Sequence, residues 1–414
     1  MTAMADLAFA GITLLLIIHY VKWLSSHKRG CKPPGPLAWP IIGHIHLLNS
    51  NRPLHQTLCD LVRRYGHVML LKLGSRTTLV VSSWELAREC LTTHDMNFAS
   101  RPRSAATEHL GYDCMMLGLD PYDDRCRNLR RICTSQLLSA SRVESSQHIR
   151  REEVSKLVRG LFQSCTQMGI QDEASTVVDM RSIMVDLIFD TIVRSILPDK
   201  SYMGSAGEAE EFKEMIDTHL KLVQAFNVSD YIPFLGWLDL HGCEREMKKF
   251  SRRRDEILQR VTDKCRLPIK ERDESLIDVL IHFVDKTQDN STIVKATIAS
   301  LIIAGTDTSA ITTEWAMASL LQCPEMLKKA QEELDTVVGR QRVLDESDLP
   351  NLKYLEAIVK ETLRLYPAAP LLLPHMAAEP CTVGGYYVPG GTELLLNAWG
   401  IHRDPAAWER PLDF

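Results

Sequence analysis

From residue 120 to about residue 365, apolar positions recur every three to four residues with charged positions between them, as in "SRRRDEILQRV" (251–261). That is the period of helices with one buried face. Ahead of this block the rhythm changes. Residues 53–65 keep a helical spacing, "HVMLLKLG" and "TTLVVS" read as strands, and Ser83 stands where it would cap a short helix, "WELARECL". Residues 97–119 have no clear period and are expected to form a long loop. Past Pro367, "LLLPHMAAEPCTVGGYYVPGGTELLLNAW" breaks into short apolar runs divided by Gly and Pro, predicting short strands and turns. The expected fold is mainly α with a minor β region drawn from both ends of the sequence.

One segment departs from both periods. Ala3 to Leu24, "AMADLAFAGITLLLIIHYVKWL", is almost continuously apolar and long enough to cross a bilayer core of about 30 Å. Its positive charges follow it, at Lys22, Lys28, Arg29 and Lys32, which predicts an uncleaved anchor with the rest of the chain on the cytosolic side. Residues 1–31 are therefore read as a membrane anchor with its basic flank. "KPPGP", 32–36, is a stiff hinge, and 37–414 form a single domain, because no linker or repeat divides them. A formal net charge of −5 argues against a general nucleic-acid binder. Eleven cysteines, scattered singly, fit reduced thiols better than a disulfide framework. Sequons at Asn227 and Asn290 would matter only in a lumen.

Three stretches carry candidate chemistry. "AGTDTS" (304–309) sits inside a helix that is apolar on every face. Ala304, Gly305 and Thr308 leave room for something flat or bulky, while Asp307 and Thr308 supply an acid and a hydroxyl, the two parts of a short proton relay. The alternative is a Thr/Ser patch bonded back to its own helix. In "YLEAIVKETLRLYP", Leu352, Leu355, Val359 and Leu363 form the expected buried stripe. Glu361 and Arg364 lie on the other side as a surface ion pair, unless a further layer of protein covers them. "LDPYDDRCRNLRRI" reads as a helix start, with Asp120 as N-cap and Pro121 as first residue. Arg125, Arg127, Arg130 and Arg131 follow as a solvated basic face or a site for an anion or acidic partner.

Taken in order with "PPGP", "NFASRP", "TEWA", "LLLPH" and "YYVPGGTELLLNAWGIHRDPAAWERPLDF", these stretches resemble the membrane-anchored cytochromes P-450 of the plant microsomal type. The resemblance implies the cytochrome P-450 fold and a haem-thiolate monooxygenase of the endoplasmic reticulum. Such an enzyme puts one oxygen atom of dioxygen into an apolar small molecule, with NADPH electrons delivered by a cytochrome P-450 reductase. By resemblance, Asp307 and Thr308 conduct protons for dioxygen cleavage, and Ala304 and Gly305 line the groove over the haem. Arg130 and His375 meet the haem propionates, Glu361 and Arg364 hold the core, Leu371 and Leu372 line the substrate pocket, and the helix at 125–131 lies near the reductase face.

Two departures stand out. Cys126 occupies a place where the family usually has tryptophan. The family's ligand, a cysteine in a Phe-x-x-Gly-x-Arg-x-Cys-x-Gly loop, is expected beyond Phe414, and Cys381 matches no ligand motif. The sequence therefore predicts a chain incomplete at its C-terminus, with no metal ligand of its own. The alternative is a non-catalytic truncated or pseudogene product unable to hold haem. A membrane-anchored helical interaction protein would leave Asp307 and Glu361 unexplained. Phenolics, flavonoids and fatty acids all suit such a site.

Overall fold

The structure, a computed structural model, describes residues 31–48, 52–168, 177–198, 203–239, 242–266, 275–284 and 290–414. The expected anchor segment, 3–24, lies outside these residues.

Helix α1 (Leu54–Tyr65) ends at Gly66, whose φ of +89° favours glycine. Strands β1 (Val68–Leu73) and β2 (Arg76–Val81) follow as an antiparallel hairpin in which Val68 faces Val81 and Leu73 faces Arg76. Their partners come from the far end of the sequence. Strand β6 (Glu393–Leu396) lies parallel to β2, and β3 (His375–Met376) lies antiparallel to β6, giving the order β1-β2-β6-β3. Strands β4 (Cys381–Val383) and β5 (Tyr386–Val388) make a separate hairpin. Its turn residues Gly384 and Gly385 have φ of +56° and +81°, the conformation a tight hairpin requires.

The helical part is built around one long element. After α2 (Asp124–Ile132), α3 (Gln147–Met168), α4 (Met180–Ile196), α5 (Ala206–Gln224) and α6 (Cys243–Arg266) comes α7, Asn290–Gln322. At 33 residues it is about 50 Å long. Ala299, Ile302 and Ile303 of α7 pack with Phe189 and Val193 of α4, Phe212 and Ile216 of α5, and Ile257, Leu258 and Val261 of α6. Among the described residues it is also the one helix long and apolar enough to cross a membrane. It is mostly buried in protein, and so is a core helix. Helices α8 (Pro324–Val337) and α9 (Lys353–Leu365) close the second half through Leu320, Ala330 and Ile358.

Several local expectations need correction. The stretch 97–119 is not all loop, because Ala105–His109 forms a helix held by a reciprocal capping box between Ser104 and Thr107. The N-cap of α2 is Asp123, whose side chain accepts from the Cys126 N–H. Asp120 is instead a buried partner of Arg125, with its Oδ1 2.6 Å from Nη2. On α9 the buried side runs through Ile358, Thr362, Arg364 and Leu365, whereas Val359 and Leu363 are exposed. Asn227 is buried and caps the helix Val228–Tyr231, so it offers no sugar acceptor.

Candidate functional site

Helix α7 is buried along most of its first half, and then Ala304, Thr308 and Ser309 are exposed. The helix itself is unbroken through this point. Thr308 donates its hydroxyl to the Ala304 carbonyl at 2.6 Å, and Thr306, Thr312 and Thr313 likewise bond back four residues. The back-bonding patch weighed from the sequence is thus present, yet it does not explain the exposure. Thr308 spends its one proton on the helix and keeps lone pairs free to accept.

Asp307 turns to a different side. Its Oδ1 lies 3.3 Å from Arg181 Nη2 on α4, and the same guanidinium reaches Glu314 at 3.4 Å. Burial raises the Asp307 pKa and the Arg181 charge opposes that. An acid balanced in this way, one residue from an exposed hydroxyl, is suited to exchanging a proton. Gly305 has a role that its spacing did not reveal. A Cβ there would lie 2.6 Å from Ile192 Cδ1, so its missing side chain lets α4 approach α7 closely.

The exposed face is bordered by two other segments. Leu117 donates its N–H to Ser300 Oγ at 3.1 Å, one turn before Ala304. A Cβ on the next residue, Gly118, would sit 3.4 Å from Leu373 Cδ1. Leu372 and Leu373 are exposed, and Leu372 holds φ +53°, a conformation that costs a side-chain-bearing residue roughly 1–2 kcal/mol. Leu371 differs from the expectation: it packs with Met69, Leu71 and Val80 under the sheet, while its neighbours stay open.

A cluster of basic groups flanks this segment. His375 Nδ1 is 2.6 Å from the Phe98 carbonyl. Arg101 donates from Nη1 to the carbonyls of Leu373 and Pro374, both at 2.8 Å, and its buried Nε has no protein partner. Arg130 is exposed, and close enough that its charge depresses the pKa of both Arg101 and His375 after burial has done so. Sequence reading named Arg130 and His375 but missed Arg101, whose only signal was its place in "NFASRP". Two guanidiniums, one with an orphaned buried donor, beside an imidazole that burial and their charges keep neutral, call for an anion with several oxygens. The paired carboxylates of a haem meet that description. Ala304 and Thr308 leave the flat side such a group would need.

Arg364 shows what the sequence could not decide. Its Nε and Nη2 form a bidentate pair with Glu361 at 2.8 and 2.6 Å. Nη1 donates to the carbonyls of His402 and Pro411, Nη2 also donates to that of Asp413, and the guanidinium lies 4.8 Å from the centre of the Trp408 ring. The covering layer is the segment 402–413, so the pair is internal and not a surface bridge. Of the arginines on α2, Arg125 is bound to Asp120 and Arg127 to Asp124, which leaves Arg130 and Arg131 to act outward. Cys126 lies on the buried side of this helix, fully closed off from solvent. Cys381 lies on β4, packed with Cys90 and Val383 in the small satellite cluster, and is no part of the α7 face.

The cytochrome P450 family model matches residues 33–414. A flavonoid 3'-monooxygenase of Crocosmia x crocosmiiflora is 39% identical over 98% of this chain and 80% of its own length. A xanthotoxin 5-hydroxylase of Arabidopsis thaliana is 40% identical over 97% and 80% respectively. A zebra fish cytochrome P450 solved with progesterone superposes with a TM-score of 0.73 at 28% identity, covering 88% of this chain and 83% of that one. None of these relatives supports the reading of a non-catalytic product. Matched by the family model over residues 33–414 and about 40% identical to these plant hydroxylases, the chain belongs to the cytochrome P450 family of haem-thiolate monooxygenases.

Proposed function

We propose that this chain hydroxylates an oxygenated aromatic small molecule. The observation that carries this is the opening in the middle of α7: a buried helix that exposes Ala304, Thr308 and Ser309 beside Leu372 and Leu373. A flat apolar substrate suits that border. The names of relatives point the same way, being those of a flavonoid 3'-monooxygenase, a xanthotoxin 5-hydroxylase and an isoflavone 3'-hydroxylase.

In this reading haem supplies the activation of dioxygen, and the chain supplies what surrounds it. Arg101, Arg130 and His375 hold the propionates. Because His375 gives its Nδ1 proton to Phe98, its Nε2 donates to a carboxylate only as imidazolium. The neighbouring guanidiniums disfavour that form until an anion sits among them. Ala304 and the Gly305 backbone give the flat side. Thr308 orders a proton donor at its Oγ1, and Asp307 exchanges the proton with solvent by releasing and regaining Arg181. Leu372, with Leu371 behind it, shapes the pocket. Glu361 and Arg364 keep the core closed.

The electrons come from NADPH through a flavoprotein reductase that docks near Arg130 and Arg131. The domain, 37–414 behind the hinge at 32–36 and the anchor at 1–31, rides on the cytosolic side of the endoplasmic reticulum membrane. Exposed Leu37, Trp39 and Ile41 support membrane contact, as do exposed Phe234 and Trp237. These two groups are joined at one end of the molecule, where Gly43 bridges Leu73 and the Ser75 N–H bonds the Tyr231 carbonyl at 2.8 Å.

The deciding experiment is a carbon monoxide difference spectrum of the protein expressed with the cysteine loop expected beyond Phe414 included, followed by turnover of a flavonoid and furanocoumarin panel with reductase and NADPH. Thr308→Ala is expected to lower hydroxylated product per NADPH consumed by at least about tenfold, while NADPH consumption continues. Undiminished product in that variant would remove Thr308 from the proton route.

A further inference from the structure

Arg254, on α6, is among the described residues the largest side chain wholly closed off from solvent, at 0% exposure. Among the described residues it has no carboxylate within ion-pair distance. Asp255, its neighbour in sequence, directs its own carboxylate to Lys295 at 2.6 Å. The one hydrogen bond of the guanidinium runs from Nη1 to His219 Nδ1, at 3.4 Å. Burial and the Arg254 charge keep His219 neutral, and so able to accept. The Nε and Nη2 donors have no partner. The guanidinium lies 4.4 Å from the centre of the Tyr112 ring and 5.7 Å from that of Phe250, and the buried Tyr112 hydroxyl, within electrostatic reach of both Arg254 and Asp255, makes no hydrogen bond of normal length. Natural interiors seldom leave three such donors idle, and a buried charge is ordinarily paired.

The geometry points to a use for them: Arg254 and the Tyr112 hydroxyl form a buried subsite for an anionic oxygen of the substrate, a carboxylate or phenolate. The loop that carries Tyr112 ties this point to the reaction face. Leu110 and Met116 pack in the same core as Ile302 and Ile303, and Leu117 is bonded to Ser300, one turn before Ala304. The loop thus forms a wall shared by Arg254 and the α7 face. Entry needs the loop to give way, and Tyr112, Asp113 and Cys114 hold φ of +54°, +53° and +61°, three successive strained residues. The inference rests on the monooxygenase reading only for the fate of the substrate's other end.

The test uses the purified full-length chain and two fluorescent probes, 2-naphthoate and its methyl ester. The wild type should bind the acid at least about tenfold tighter than the ester, since only the acid pairs the charge. Arg254→Met should bring that ratio near one, with ester affinity changed less than about twofold, and naphthoate should raise the melting temperature of the wild type but not of this variant. Arg254→Lys should keep part of the preference, and Tyr112→Phe should lower it about threefold.

A guanidinium that merely clasps α6 to the loop predicts the reverse: a destabilised Met variant and no preference to lose. Equal binding of both probes by the wild type overturns the proposal. So does a preference that survives in Arg254→Met or, if that variant fails to fold, one left intact in both Arg254→Lys and Tyr112→Phe. Loss of the carbon monoxide signal with the acid preference retained would sink the monooxygenase reading and leave the subsite standing.

Discussion

Two arginines are almost fully buried among the described residues, and they are opposites. Arg364 has every donor engaged: a bidentate carboxylate, three backbone carbonyls and the face of Trp408. Arg254 has one long bond to a neutral histidine, two aromatic rings and two idle donors. Both lost their water, which costs several kcal/mol for an ion, and only the first recovers that cost inside the protein. A satisfied buried charge is structural, because removing it strands its partners. An unsatisfied one is a standing cost in the free protein, which the proposed acid group would relieve.

Three measurements break or sharpen the contrast. The largest effect is expected at Arg364. Arg364→Met strands the Glu361 carboxylate and the carbonyls of His402, Pro411 and Asp413, and should cost roughly 3–5 kcal/mol in chemical unfolding. A loss near zero would mean that segment 402–413 does not stay closed over α9.

The same substitution at Arg254 should have the opposite sign. Arg254→Met removes an unpaired charge in exchange for an apolar side chain of similar length, and should leave stability unchanged or raise it by about 1–2 kcal/mol. A loss comparable to that at Arg364 would show that the aromatic contacts alone justify the burial of this charge.

The third effect is on pH dependence. His219 is held down to about 3, first by burial and then by the Arg254 charge. Unfolded, it titrates near 6.5, so between these values the unfolded chain binds a proton that the folded chain does not. Stability from this residue is fully present above pH 6.5 and falls as the pH drops, by about 2 kcal/mol at pH 5. His219→Gln should flatten that part of the profile, and Arg254→Met should flatten it less, since burial is the larger cause. An unchanged slope in His219→Gln would show that the ring is not buried as found.

Arg254 also shows where the sequence was readable and was passed over. "SRRRDEILQRV" looked like a charged face, and Arg252 is indeed exposed. Yet the buried stripe of α6 runs through Met247, Phe250, Arg254, Ile257, Leu258, Val261 and Cys265, with Arg254 occupying one of its apolar places at helical spacing. The signal was one cation in phase with the core among several out of phase. At α9 the opposite happened. Of the expected stripe, Leu352 is buried and Leu355 packs against the core, but Val359 and Leu363 are exposed and the buried side continues through Thr362 and Leu365 instead. At the start of α2, Asp120, Asp123 and Asp124 are chemically alike, and only the packing of Arg125 against Asp120 leaves Asp123 to cap.

By itself the sequence determined the elements with a strong local cause. These are the continuous apolar helix with its small residues and acid-threonine pair, the alternating strands at either end, and the stop at Pro367. Each depends on residues near in sequence, where periodicity and backbone chemistry act directly. Tertiary structure alone decided the rest. It closed the sheet between residues 76–81 and 393–396, covered Arg364, turned Asp307 to Arg181, brought Arg101 to His375, and left Arg254 without a carboxylate. These outcomes turn on which charged group meets which partner across hundreds of residues. A local pattern carries no term for that encounter, because the desolvation and pairing energies that settle it exist only once the layers are packed.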